Sequence, residues 1–591
     1  MKNKLKSLLL VACIVSGGTN LFAQTDSVLF QSAQFVGELN IFLRDANKIS
    51  NQPFVVETET NAALLKYNML PTRQISFAQP ATILSSNFPM EKKLRKLQKG
   101  WVDVSFGSYV TPKLDAYYSD GRSKKGDWGV RYSHQSSNRN MEVIPDQDIP
   151  TTFSENSATL WGKRFYKKNV FDAKVNWNRN VTNWYGIDSS QLSYFPDFSK
   201  LKQTMNVYSA TAGVRTFDRD SNDLNWWAKG GYRLASDAFN SNENYVDVSG
   251  GASKLIKTEV FSGEFGMIYN QFNSNGLNWS PDQANTYDAT DVSGVSRSFD
   301  NAIVRFIPSA YTVYKDLRVK IGMGLYIQSR GEQRGHFYPQ AEVSYSILDG
   351  MIVPYAGIKG SLAPTTYYGL YTQNPFVVVQ PQLLNQSNKM QLFGGVNGSI
   401  SRRVNYSVGG ELNTIENYAF FVNDSLYSNG DFTSRGNMQG VVYDALRISK
   451  LRGEIEVLGG KKWSAKLGGS YSSFETNQQY AWQLPNLQVS AEASYNLNSK
   501  FKFNFQGIYY GERWAKSVLP VTGRDAQLQL DGSYVYKMKA FVDVNLRTTY
   551  TYNDRLSGYL QFNNILSQKY TIYSGIPSQR MFAALGASYS F

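Results

Sequence analysis

The final twelve residues, Arg580-Met-Phe-Ala-Ala-Leu-Gly-Ala-Ser-Tyr-Ser-Phe591, constrain the fold more than any other stretch. Phe591, Tyr589, Ala587, Leu585, Ala583 and Met581 alternate with Ser590, Ser588, Gly586 and Ala584. One face is apolar and the other small or polar. That is the period-2 pattern of a strand with lipid on one side and a polar lumen on the other. Phe582 alone breaks the alternation. Met581, Leu585, Tyr589 and Phe591 are the expected lipid-side residues of a barrel-closing strand.

Upstream segments repeat the pattern. Phe501, Phe503 and Phe505 interleave with Lys502, Asn504 and Gln506. Leu487, Val489, Ala491, Ala493 and Tyr495 interleave with Gln488, Ser490, Glu492 and Ser494, and Val542, Val544 and Leu546 with Asp543, Asn545 and Arg547. A polar or charged group at every second position cannot face hydrocarbon, so Glu492, Asp543, Asn545 and Arg547 are expected to face a wet or filled lumen. Past the N-terminus no run approaches the roughly 20 apolar residues of a spanning helix, and mean hydropathy is −0.38. The 39 Tyr, 34 Phe and 47 Gly suit a β-barrel with aromatic girdles. The fold class is therefore all-β, a transmembrane antiparallel barrel.

Single-chain bacterial barrels have short periplasmic turns, longer outer loops and an even strand number. If the first strand starts at Trp101 and runs outward, the breaks near 122–127, 167–169, 218–223, 257–259, 315–317, 349–351, 402–403, 459–461, 498–500 and 553–556 are periplasmic, and all are short. The stretches 137–156, 181–203, 273–297, 364–388, 425–437 and 517–539 then lie outside, and all are longer. The first outer connection is a tight turn near Pro112. The tally is about 22 strands over residues 101–591, and one miscounted hairpin makes it 20.

Lys2, Lys4 and Lys6, an apolar Leu8–Val15 and Leu21-Phe-Ala23 read as a signal peptide over residues 1–23. The alternative is a lipobox at Cys13, the single cysteine. Residues 24–100 hold Pro53, Pro71, Pro80 and Pro89 and a basic run from Lys92 to Lys99, which reads as an extended periplasmic segment with one short helix near Val36–Lys48. The net charge of +14 is spread over turns such as Arg122-Ser-Lys-Lys125, Arg402-Arg403 and Lys461-Lys462. Dispersed charge fits contact with anionic lipid head groups and argues against a nucleic-acid partner.

The closing segments resemble those of TonB-dependent receptors. The matching stretches are Lys539-Ala-Phe-Val-Asp-Val-Asn-Leu-Arg-Thr-Thr-Tyr550, Leu560-Gln-Phe-Asn-Asn-Ile-Leu-Ser-Gln-Lys-Tyr570 and the Arg580–Phe591 strand. Asn564-Ile-Leu-Ser-Gln-Lys-Tyr570 stands where that family carries an Asn-Leu-Phe-Asp-Lys-Tyr-like stretch, and Gln579-Arg580 where it has Gly-Arg. The resemblance implies a 22-stranded barrel in the bacterial outer membrane, engaged in transport or solute uptake. It also implies a plug domain well over a hundred residues long. Residues 24–100 are shorter and carry no recognisable plug motif. A lumen of this width is not packed by strand side chains, so inward-folded loops, the 24–100 segment or a periplasmic or outer-membrane protein partner must fill it. The alternative function is a non-transporting barrel subunit of an outer-membrane protein assembly.

Nothing points to an enzyme. Of the two histidines, His134 has Ser133 on the opposite strand face, and both it and His336 read as rim residues. Asp218-Arg-Asp220-Ser-Asn222-Asp223 lacks the glycine and later glutamate of a calcium loop. There is no zinc spacing, phosphate loop or dinucleotide fingerprint, so no cofactor or metal is expected. Asn183-Trp-Tyr185 and Thr366-Tyr-Tyr-Gly-Leu-Tyr371 put aromatics in outer loops, where they either stack on a ligand or pack loop on loop.

If the ending is an assembly signal, deleting Phe591 or replacing it with a charged residue should lower the amount of folded barrel in the outer membrane several-fold. Unchanged outer-membrane levels of the truncated chain would count against it.

Overall fold

The computed structural model describes residues 98–121, 125–144, 147–186, 202–216, 223–274, 297–348, 350–378, 382–423, 426–429, 432–435, 438–517, 526–530 and 533–591. The proposed signal peptide, the Val36–Lys48 helix, nearly all of the 24–100 segment and the run from Asp218 to Asn222 lie outside them.

Among the described residues, 22 strands form one sheet in which each strand lies antiparallel to the next in sequence. The first strand, Gly100–Gly107, pairs with Thr111–Ser119 on one edge and with the final strand, Phe582–Ser590, on the other. Val104 stands opposite Ala587 and Phe106 opposite Leu585. This pairing closes the wall, so the sheet has no open edge whose N–H and C=O groups would face lipid.

Alternation sorts the two faces. Along Leu317–Gln328, Ile321, Met323, Leu325 and Ile327 are exposed on the outer face. Along Phe541–Thr551, Asp543, Asn545, Arg547 and Thr549 are buried on the inner one. Met581, Leu585, Tyr589 and Phe591 are likewise exposed on the outside. Phe582, the residue out of pattern, is buried on the lumenal side, where its ring occupies the space a side chain at Gly107 would need.

The two ends of the barrel differ. At one end strands join through short turns, two residues long at Lys257–Thr258, Lys315–Asp316 and Arg402–Arg403. Lys99 N–H donates to Phe591 O at this end, 2.7 Å away, so the two ends of the barrel wall meet there. Trp128, Tyr166, Tyr314, Tyr345, Trp463, Tyr495, Tyr552, Tyr589 and Phe591 are exposed within a few residues of these turns. They form the aromatic girdle expected at one membrane interface. At the opposite end lie the long connections, and strands such as Val404–Val422 and Gly440–Leu458, 19 residues each, run well past the 9–11 residues a tilted strand needs to span the bilayer.

The first outer connection is the expected tight turn near Pro112, at Ser108–Val110. Tyr109 and Val110 adopt left-handed φ angles of 63° and 49°, while Pro112 pairs with Phe106 inside the second strand. The strands described on either side of the other breaks alternate in direction, so the short connections share one end of the barrel and the long ones the other.

Epitope tags inserted at about residues 190 and 285 should be accessible on intact cells, and tags at 402 or 461 only after the outer membrane is opened. Surface labelling at 402 would invert the assignment of sides.

Candidate functional site at the outer mouth

Three of the four lumenal residues read from the sequence are buried and partnered. Asp543 accepts the Tyr570 hydroxyl, and Asn545 Oδ1 accepts the Asn564 N–H at 3.0 Å. Arg547 lies 3.8 Å from Asp103 with its guanidinium 3.5 Å from the centre of the Tyr559 ring. Glu492 occupies the same face between Lys466 and Gln506, but is exposed there.

Asp543 and Asn545 therefore reach residues of one connection, 564–581, between the last two strands. Asn564 sits there at a φ of 46° and ties the turn to Gln568, donating to its carbonyl and accepting its N–H. Phe541 stacks on Tyr570 with ring centroids 4.0 Å apart, and Tyr510 stacks on the other face of Phe541 at 5.0 Å. This three-ring stack fixes the base of a small hairpin, Thr571–Tyr573 and Ile576–Pro577.

The hairpin is the centre of a lid across the outer mouth. Tyr185 donates to Pro577 O at 3.0 Å, and Tyr573 donates to Gln373 O. Gln439 donates to Ser574 O at 3.0 Å, and Gln483 Oε1 accepts the Ser574 N–H at 3.0 Å. Arg513 Nη1 and Nη2 donate to the carbonyls of Ile572 and Thr571 at 2.6 Å and 2.5 Å. Arg513 has no ion-pair partner among the described residues. Its compensation is two carbonyls and the rings of Tyr510 and Phe541, 5.7 Å and 5.5 Å away. Burial pushes its pKa down to about 10, so it stays charged at neutral pH.

A second anchor holds the helix Tyr367–Gln373. Glu243 accepts the N–H groups of Tyr367 and Tyr368 at 2.6 Å and 3.1 Å, which satisfies two donors the helix start leaves open. Thr366 Oγ1 caps the third, from Gly369, at 2.9 Å. Asp237 accepts the Tyr367 hydroxyl at 2.8 Å, and its carboxyl is held above the usual carboxylate range by burial.

The outer-loop aromatics pack loop on loop. Trp184, Tyr185, Tyr367 and Tyr371 are all fully buried, with Phe376, Val377, Met438 and Ile576 in the same cluster. Trp184 stacks on Phe239 at 5.1 Å and donates to Pro375 O at 3.3 Å. Sequence reading found these aromatics but not Arg513, Glu243, Gln439 or Gln483, whose partners lie tens to well over a hundred residues away in the chain. His134 bonds Asn156 and Ser136 on the outer face near the rim, and His336 bonds Gln328 at the head of its strand.

No family model matches the chain. It is 26% identical over 497 residues to the ferric-pyoverdine BN7/BN8 receptor of Pseudomonas putida, a match covering 79% of this chain and 54% of that receptor. The chain thus spans about half the length of that relative. Among solved structures it is similar to the siderophore receptor PirA of Acinetobacter baumannii, with a TM-score of 0.63 at 11% identity over 85% of this chain and 81% of that one. The FrpB iron transporter of Neisseria meningitidis (F3-3 variant) gives 0.62 at 11% identity over 84% and 82%. The ferripyoverdine receptor of the outer membrane of Pseudomonas aeruginosa gives 0.58 at 13% identity over 85% and 72%. The chain shares the fold of these receptors, a closed antiparallel β-barrel of 22 strands.

Arg513→Ala should cost the lid about 3 kcal/mol, the scale of two hydrogen bonds to a charged donor. Hydrogen exchange at residues 570–579 should quicken accordingly, while the barrel stays folded and heat-modifiable on gels. Arg513→Lys should recover only part of the protection, because an ammonium offers its donors from a single point and not from the rigid planar fork that meets both carbonyls.

Proposed function

We propose that this chain is a gated uptake barrel of the outer membrane that receives a ferric-siderophore-class solute at its outer loops. The observation that carries this reading is the lid. Connections from distant parts of the wall meet over the mouth of a 22-stranded barrel and are held there by hydrogen bonds to one small hairpin. An unregulated porin has no use for such a closure. The ligand class follows from the sequence likeness to a ferric-pyoverdine receptor.

Residues 1–23 act in this reading as a signal peptide and 24–100 as a periplasmic segment that enters the lumen. Glu492, exposed on the inner wall, is one of the groups it would meet. Met581, Leu585, Tyr589 and Phe591 serve barrel closure and membrane seating. A second reading, a non-transporting subunit of an outer-membrane protein assembly, draws on the burial of Trp184, Tyr185, Tyr367 and Tyr371, which leaves those rings unavailable to stack on a solute while the lid is shut.

In planar bilayers the intact protein should conduct little, and removal of residues 24–97 should raise conductance several-fold. Ferric pyoverdine should quench its tryptophan fluorescence saturably, and the iron-free siderophore much less. A barrel silent in both forms and blind to ferric chelates, purified with a stoichiometric protein from mild detergent, would overturn uptake in favour of the subunit.

A further inference from the structure

The closing pair of strands poses a problem that alternation does not solve. A one-residue slip between Gly100–Gly107 and Phe582–Ser590 would turn every side chain to the wrong face and is forbidden by lipid. A two-residue slip would not. It keeps Val102, Val104 and Phe106 outside and Asp103 and Ser105 inside, opposite the same kind of small residue. Something other than polarity must choose the register.

We propose that aromatic rings seated in glycine sockets, with one reach-through hydrogen bond, form a register lock for barrel closure. The first socket is Gly100, at the periplasmic end. A Cβ there would stand 2.7 Å from Phe591 Cζ and 2.7 Å from Tyr117 O. Phe591 exchanges backbone hydrogen bonds with Gly100, and its ring leans over the missing side chain. The second socket is Gly107, at the other end of the first strand, where the Phe582 ring fills the Cβ position. Phe582 breaks the polarity pattern of the final strand for this reason. The rings thus bracket the seam at both ends, one on the lipid face and one on the lumenal face.

Between them a bond crosses the final strand. Tyr559, one strand back, lies over Gly586, where any side chain would collide with its ring. Passing over that glycine, the Tyr559 hydroxyl donates to Asp103 of the first strand at 2.6 Å. Arg547 covers the Tyr559 ring and faces the other Asp103 oxygen. Asp103 stands directly opposite Asp115, whose charge is taken by a two-point bond from Arg131 at 3.0 Å and 2.6 Å. Two carboxylates facing each other are tolerable only if each meets its own cation.

A two-residue slip moves the first strand by about 7 Å. Gly100 would be replaced under Phe591 by Val102 or by a residue preceding the strand, and Gly107 under Phe582 by Ser105 or Tyr109. Asp103 would leave Tyr559 and Arg547 together. Both even registers are therefore excluded by bulk at two points and by a buried charge at a third.

The test is cysteine cross-linking across the seam. In the parent protein, Val104→Cys with Ala587→Cys, a directly opposed pair, should cross-link at least ten times more than Val104→Cys with Leu585→Cys or with Tyr589→Cys. Adding Gly107→Val and Asp103→Asn should raise a shifted pair at least fivefold, or lower the heat-modifiable barrel at least fivefold. Phe582→Ala should restore assembly to Gly107→Val, since it empties the socket. Gly558→Val should leave assembly unchanged, because a Cβ there meets only Gly586 O at 3.8 Å. The lock is overturned if the Gly107→Val, Asp103→Asn protein assembles at parental level with only the 104/587 cross-link, if Phe582→Ala fails to rescue, or if Gly558→Val is as damaging as Gly107→Val.

Discussion

A backbone amide has no water to turn to inside a bilayer, and this one fact organises the molecule. Each N–H and C=O of the wall must find its partner on a neighbouring strand, which leaves a closed sheet as the available solution. The pairing of Gly100–Gly107 with Phe582–Ser590 is where that demand is met. Side-chain polarity then follows the pleat, with leucine, isoleucine and phenylalanine outward and the ionic ladder of Asp103, Asp115, Arg131 and Arg547 inward.

The same pleat explains what could be read in advance. Polarity alternation is local, so strands and faces were legible from residues such as Phe501, Phe503 and Phe505 or Asp543, Asn545 and Arg547. Loop length is also local, and it sorted the two ends. The lid was not legible. Gln439 with Ser574, or Tyr185 with Pro577, are pairs far apart in the chain and drawn from residue types common in any loop. The first outer turn was legible near Pro112, but not that two ordinary residues, Tyr109 and Val110, take its left-handed angles.

Glycine has two distinct uses in this wall. At Gly121, Gly350 and Gly460 it supplies left-handed turns, the role its abundance suggests from the sequence. At Gly100, Gly107 and Gly586 it supplies an absence, a place for a ring from a neighbouring strand. Composition does not distinguish the two. Phe582 was the one visible hint, an aromatic on the face that alternation reserves for small residues.

The position of the hairpin Thr571–Pro577 in the chain gives the mouth a history. It belongs to the connection between the twenty-first and twenty-second strands, yet it is the piece to which Tyr185, Gln373, Gln439, Gln483 and Arg513 all attach. The earlier loops also hold one another, as Trp184 holds Pro375 and Gln483 holds Gln439, but the anchor they share arrives only with those two strands. Closure of the wall and anchoring of the mouth thus depend on the same pair of strands.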